Sequence, residues 1–341
     1  MEITPASLAP DFKAISGWAN SPPLSMKALK GKVVLLDCWT YTCIFCLRTL
    51  PVLKRLYSKY AQDGLVVIEA HSYEYEFAKE HSNIAKALLR YRVSDVPVAF
   101  DTENRTWEAY GNTYWPKHIL IDHNGLTRYE HAGYGSISDF EGAVVELLEE
   151  AGKKPAETSG LDVANPEDEI YDTYGMQFVG MAPEICVGYS RLRKFGNRHK
   201  MKPDSANIMS DSGSHEVNTV YLRGKWTWER ERVAYSAGGR EPNPAVIMYY
   251  NSAKRVHGIM GTVDGEPGKA EIRLDGKPLS KDQLGKDCRL ESGNGSEGQI
   301  SVVDVTWPFM HNLVRTDKPE VHEIEIIPRS ANFAFYTFVF G

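Results

Sequence analysis

The sequence predicts an α/β domain with a mixed central sheet flanked by helices, followed by an all-β jelly roll or sandwich. Three observations carry this. Apolar strand-like runs and helix-period segments alternate from Gly31 to about Ala151. The composition then shifts to Pro, Glu, Gly, Asp and Ser between Lys153 and Glu169. Beyond about Gly175 helical periodicity fades, and short β-rich runs separated by Gly-rich turns take over. A chain of 341 residues also exceeds the usual size of one core. The expected organisation is residues 1–152, a linker at 153–174, and a second domain at 175–341.

In the first domain Lys32-Val33-Val34-Leu35-Leu36 is a short apolar run after a glycine and reads as a buried strand. From Cys43 to Tyr60, Leu47, Leu50, Leu53, Tyr57 and Tyr60 recur at three- and four-residue steps, which is one face of a helix. Gly64 stops it, and Leu65-Val66-Val67-Ile68 reads as the next buried strand. Glu76 to Tyr91 returns to helical spacing, Val98-Ala99-Phe100 to a strand, and Thr106 to Tyr110 to a short helix. Two further runs, His118–Ile121 and Leu126–Tyr129, flank Asp122-His123-Asn124-Gly125. The Asn-Gly predicts a hairpin, so the sheet is mixed. Ser138 to Glu150 is a last amphipathic helix, and the alternation is that of an α/β layer architecture. In the second domain the β-rich runs are Thr219–Leu222, Ala245–Tyr250, Glu271–Leu274, Ile300–Val305, His322–Ile327 and Phe333–Phe340.

Composition narrows the function classes. Lys and Arg total 39 against 45 Asp and Glu, interspersed and without a basic block, so nucleic acid and anionic membranes are not expected partners. No apolar run approaches the roughly 20 residues that cross a bilayer, so an integral membrane protein is not expected. Met1 to Pro10 has neither the basic nor the apolar part of a signal peptide. The expectation is a cytoplasmic location if the chain is complete, and an extracytoplasmic one if a leader was removed. Five cysteines are too few for a disulfide scaffold, and only Cys43 and Cys46 form a motif.

That motif, Trp39-Thr40-Tyr41-Thr42-Cys43-Ile44-Phe45-Cys46, falls between the expected strand and helix. Three-residue spacing at a helix start puts both sulfurs on one side of the first turn, where a disulfide can close. The first cysteine faces free backbone N–H groups and the positive end of the helix dipole, which favour a thiolate and make it the attacking sulfur. Cys46, one turn inside, is the natural resolving thiol. Half a zinc site is the alternative, but a second pair of ligands at suitable spacing is absent. No cofactor is expected beyond the Cys43–Cys46 disulfide itself.

Around this motif the sequence resembles the thioredoxin superfamily. Asp37 lies six residues before Cys43, Trp39 four residues before it, and Pro51 eight after it, where the family has a buried acid, a tryptophan and a helix-kinking proline. Within the superfamily the chain is most similar to the TlpA/ResA branch, including the thioredoxin-like region of DipZ-type proteins. The likeness is carried by Ala9-Pro10-Asp11-Phe12, Gly31-Lys32-Val33-Val34, Trp39 to Cys43 and Tyr114-Trp115-Pro116, over residues 9 to 150. Pro183-Glu184, Gly188-Tyr189 and Phe338-Val339-Phe340-Gly341 resemble the sandwich module appended in DipZ-type proteins.

The resemblance implies a thiol–disulfide oxidoreductase acting on a disulfide-containing protein substrate, with the expected direction that of a reductase fed by a thiol electron donor. It implies that Asp37 accepts the Cys46 proton, that Pro116 is a cis-proline facing the dithiol, and that Trp39 and Trp115 contribute to substrate binding, Trp115 through its backbone. It also implies that Glu74 is an acid near the dithiol. A local strand-end cap by Asp37 and an ordinary trans Pro116 are the alternatives. His71 and His118 read as packed or surface histidines rather than bases.

Some residues depart from the family pattern. Cys38 stands where thioredoxins usually have Phe and reads as a small core residue. Ile44-Phe45 is unusually apolar for the inter-cysteine pair, which leaves the redox potential open. A thiol peroxidase would need a proline where Leu36 stands, although Thr40 and Cys43 fit its spacing. In the second domain Trp226, Trp228, Trp307, Tyr249 and Tyr250 could stack on a glycan, or fill the core. A binding or adaptor protein on a vestigial scaffold is the remaining alternative.

Overall fold

The structure is a computed structural model and describes residues 2–133, 139–158, 169–237, 243–293 and 298–341. The chain divides into two units, Met1–Tyr171 and Asp172–Gly341.

In the first unit β1 (Glu2–Leu8) and β2 (Trp18–Ala19) precede the expected elements. Then follow β3 (Val33–Trp39), α1 (Ile44–Tyr60), β4 (Leu65–Ser72), α2 (His81–Arg90), β5 (Val98–Asp101), α3 (Arg105–Ala109), β6 (Lys117–Ile121), β7 (Leu126–Ala132) and α4 (Asp139–Glu150). The sheet order is β1-β7-β6-β3-β4-β5-β2. β3, β4 and β5 run parallel, while β6, β7, β1 and β2 are antiparallel to their neighbours, so the sheet is mixed. This is a thioredoxin-like fold. Every residue of β3 is buried, because helices cover both faces of a central strand. On one face Val34, Leu36, Cys38, Ile68, Ala70, Ile119 and Ile121 pack with Trp107 and Tyr110. The alternate β3 residues Leu35, Asp37 and Trp39 point to the other face. The β6–β7 turn closes as expected, with Gly125 at φ 84° and Asp122 Oδ1 accepting from the Asn124 and Leu126 amides at 2.9 Å each.

The helix expected from Glu76 to Tyr91 is broken. A 3₁₀ turn at Glu76–Lys79 is followed by an extended Glu80 (φ −70°, ψ 118°) and then by α2. In one continuous helix Ala78 would lie about 120° away from Ile84, six residues on. The break re-phases the chain so that Ala78, Ile84, Ala87 and Leu88 are all buried.

Residues 159–168 of the expected linker lie outside the described residues. Its last six form α5 (Glu169–Tyr174), in which Tyr171 and Tyr174 are buried.

The second unit is strand-rich: β8 (Ile185–Cys186), β9 (Ala206–Met209), β10 (Thr219–Trp228), β11 (Val233–Tyr235), β12 (Ala245–Thr262), β13 (Gly268–Leu274), β14 (Lys277–Pro278), β15 (Cys288–Ser292), β16 (Gln299–Val305), β17 (Phe309–Pro328) and β18 (Phe333–Phe340). All connect into one folded sheet. β12 pairs through its first half with β10 and through its second with β18, with register shifts between Tyr250 and His257 where it bends. Leu222, Val246, Met260, Ile272, Ile326 and Phe335, drawn from five strands, share one core. Trp226 and Tyr250 are fully buried and Trp228 nearly so, each indole N–H donating to a backbone carbonyl, so these rings belong to the core rather than to a sugar platform. Strands β9, β14 and β15 were not expected because they are only two to five residues long and almost none of their residues is fully buried. No helix among the described residues is long and apolar enough to cross a membrane.

Candidate functional site

Beyond β3 the chain turns through Thr40, Tyr41 and Thr42, and Cys43 becomes the N-cap of α1 with extended backbone (φ −90°, ψ 115°). Its sulfur takes the place of the usual cap oxygen and accepts the Cys46 N–H at 3.5 Å. Cys43 is half-buried and Cys46 fully buried, and both are free thiols here. A sulfur at this position sits against the unpaired amides of the first turn and is open to a reaction partner. The Cys46 thiol is pushed well above its ordinary value by burial, with Cys43 and Asp37 adding in the same direction. Pro51 lies inside α1 as expected. It removes the amide that would bond to the Leu47 carbonyl.

The Trp115–Pro116 peptide bond is cis. The loop before β6 lies beside the start of α1, and the Cys43 thiol faces the Trp115 carbonyl oxygen at 3.9 Å. The Trp115 ring stacks on Trp107 at 4.4 Å, and its Nε1 donates to Ser72 Oγ at 2.8 Å, so this one side chain anchors the loop to the domain.

Asp37 is wholly buried on the α1 side of β3, and burial pushes its carboxyl up to about 7. Its Oδ1 lies 3.3 Å from Nε2 of His118, its register partner on β6. Burial lowers His118 and His71 to about 3, so both rings are neutral packing groups at ordinary pH. Glu74 is half-buried and accepts the Thr42 hydroxyl at 2.5 Å, one residue before Cys43. Cys38 is buried on the opposite face, and burial raises its thiol further out of the reactive range.

One expectation is corrected. Trp39 was expected to touch substrate, yet it has no exposed surface and lies edge-on to His71 at 5.5 Å. It belongs to the face of β3 that α1 covers, so it supports the turn from within the core. Glu69, in contrast, had no place among the expected site residues. It is 1% exposed on β4, in register with Asp37, and burial together with the Asp37 charge pushes it well up. The signal was present: an acid directly after the buried run Leu65–Ile68. Among the described residues no group of three or more His, Cys, Asp or Glu is placed to hold a metal ion.

Comparison with known proteins agrees with this geometry. Residues 5–130 match the AhpC/TSA family, and residues 182–341 match the family described as thioredoxin-like C-terminal domain. Protein DipZ of Mycobacterium bovis is 29% identical over 343 residues, covering all of this chain and 44% of that protein. Thiol-disulfide oxidoreductase YkuV of Bacillus subtilis is 23% identical over 141 residues, 41% of this chain and 94% of YkuV. Thiol-disulfide oxidoreductase ResA of Halalkalibacterium halodurans is 29% identical over 110 residues, 32% of this chain and 59% of ResA. The chain thus spans less than half the length of the DipZ relative that it matches from end to end. With a Cys-x-x-Cys at the mouth of α1, a cis-proline loop opposite and an acid beneath, the chain is a thioredoxin-like AhpC/TSA domain joined to a thioredoxin-like C-terminal domain, homologous to the thiol-disulfide oxidoreductases ResA and YkuV and to DipZ.

Proposed function

We propose that this chain is a protein thiol–disulfide oxidoreductase working in the reducing direction, with Cys43 as nucleophile, Cys46 as resolving thiol and no cofactor other than this pair. The observation that carries the reading is the asymmetry of the two sulfurs: one half-open at the helix N-cap, the other sealed one turn inside.

The Cys43 thiolate attacks one sulfur of a substrate disulfide, forming a mixed disulfide and releasing the first substrate thiolate. The Cys46 proton passes to the Asp37 carboxylate, and the Cys46 thiolate attacks the Cys43 sulfur. The second substrate thiolate leaves, and the Cys43–Cys46 disulfide closes. A thiol electron donor then returns the pair to the dithiol. The Trp115 carbonyl, facing Cys43 beside cis-Pro116, is the backbone group on which an extended substrate segment docks. Glu74, held by Thr42, places a carboxylate close to the nucleophile. The test is reduction of insulin by dithiothreitol: wild type accelerates it and Cys43→Ser does not. Undiminished catalysis by Cys43→Ser rejects the assignment.

A thiol peroxidase is the second reading, favoured by the AhpC/TSA match. Leu36 at the position of that pocket's proline speaks against it. Consumption of hydrogen peroxide by the reduced chain at a rate exceeding insulin reduction would favour the peroxidase.

A further inference from the structure

Three ionisable side chains lie in one row across the sheet: His118 on β6, Asp37 on β3 and Glu69 on β4, paired in register. None is more than 1% exposed. Neither Asp37 oxygen, nor Glu69 Oε2, nor either His118 nitrogen makes a well-formed hydrogen bond among the described residues. Two carboxyl groups this deeply buried cannot both ionise, because each charge loses its hydration and repels the other.

The surrounding groups do not relieve that constraint. From α1, Cys46 and Cys43 bring further negative character when they ionise. Lys54, half-buried on α1, acts on Glu69 but spends its Nζ on the Tyr91 and Arg92 carbonyls at 3.2 and 2.6 Å. On β4, His71 is neutral. From β6, His118 is neutral, and His131 of β7 stacks against it at 6.3 Å. On α4, Phe140 covers His118 at 5.8 Å, while Glu141 is occupied by Lys59 and Tyr60.

We propose that Glu69 is a positioning residue for the dithiol: it keeps its proton while Asp37 gains and loses one, so that the buried pair carries a single negative charge. The inference rests on the exchange chemistry proposed above and deepens it. In the resolving step the proton moves from Cys46 to Asp37 and the negative charge moves from Asp37 to Cys46. Glu69 stays a neutral acid throughout. Its O–H dipole beside Asp37 favours the ionised form that must receive the proton, and its neutrality avoids a repulsion that would keep Asp37 protonated. Burial raises both carboxyls, and their mutual influence is unequal in the sense required: the Asp37 charge raises Glu69 further, while the Glu69 side chain lowers Asp37.

The experiment uses the full chain as wild type, Glu69→Gln and Glu69→Leu, and follows insulin reduction against pH. Glu69→Gln, which keeps a neutral donor, leaves the acid limb where it is. Glu69→Leu, which removes the donor, moves that limb up by about one pH unit, a loss of about tenfold in rate on the limb. No shift in Glu69→Leu, equal shifts in both variants, or a downward shift in Glu69→Gln overturns the proposal. Carboxyl ¹³C titration of the reduced wild type reads the same point without any variant. The Glu69 carbon stays at its protonated position from about pH 5 to about pH 8 while the Asp37 carbon moves. Movement of Glu69 within that range overturns the proposal. The titration does not depend on turnover, so a wild type inactive toward insulin defeats the exchange reading alone.

Discussion

The sulfur of Cys43 and the carbonyl oxygen of Trp115 face each other at 3.9 Å, although 72 residues separate them in the chain. The nucleophile therefore lies beside the backbone of the cis-proline loop, and in the proposed exchange a peptide docked on that backbone brings its own disulfide to the sulfur. In the exchange proposed above, a mixed disulfide formed there waits for attack by Cys46.

Cys46→Ser is accordingly expected to accumulate the mixed disulfide with a protein substrate through Cys43. Non-reducing electrophoresis and intact mass read it directly. Recovery of only free protein after incubation with oxidised substrate contradicts the assigned order of attack.

Thiol accessibility gives a second expectation. Under native conditions iodoacetamide reaches the half-buried Cys43 at least about tenfold faster than Cys46, Cys38 or Cys186, all buried. Peptide mapping after a short pulse locates the label. Cys38 lies on the opposite face of β3, so Cys38→Ala leaves the insulin assay within about twofold of wild type.

Asp37 links the site to stability. Its folded value, about 7, lies above the ordinary 3.8. The folded state therefore holds the extra proton, a contribution fully present below about pH 4 and lost as pH rises through about 7. Asp37→Asn escapes that loss. It is expected to be more stable than wild type by about 2–4 kcal/mol above pH 7, with the margin narrowing as pH falls and closing below about pH 4. Urea midpoints at pH 8 and pH 4 check the sign, and the same variant resolves mixed disulfides more slowly.

In the second unit Glu271 has no exposed surface and is held by two guanidinium groups, Arg273 at 2.6 Å and Arg329 at 2.9 Å through its Nε. Arg329→Leu leaves that buried carboxylate with one partner and is expected to cost about 2–4 kcal/mol. Replacing both Glu271 and Arg329 by apolar residues recovers part of the loss, since no charge is then stranded. Urea denaturation of the full chain measures both. Insulin reduction, which belongs to the first unit, is unchanged.

What was legible beforehand followed from short-range physics. An apolar run after Gly31, a three-residue cysteine spacing and an Asn-Gly turn each act within one or two turns of chain, so β3, the N-cap at Cys43 and the β6–β7 hairpin could be read directly. The likeness at Trp115-Pro116 led to the cis bond. Periodicity gave Glu76 to Tyr91 as one helix because it records which residues are apolar, and the break at Glu80 arises from which of them must meet the sheet.

Thus the sequence alone determined the class of each layer and the chemistry of the motif, because local propensity, capping and turn geometry are written in neighbouring residues. Only the tertiary structure decided that Trp39 is sealed in the core, that the Trp115 carbonyl stands against Cys43, and that Glu69 lies next to Asp37. Those three facts depend on strand pairing between segments far apart in the chain, and pairing sets both the neighbours and the water exclusion that decide how a carboxyl or a thiol behaves.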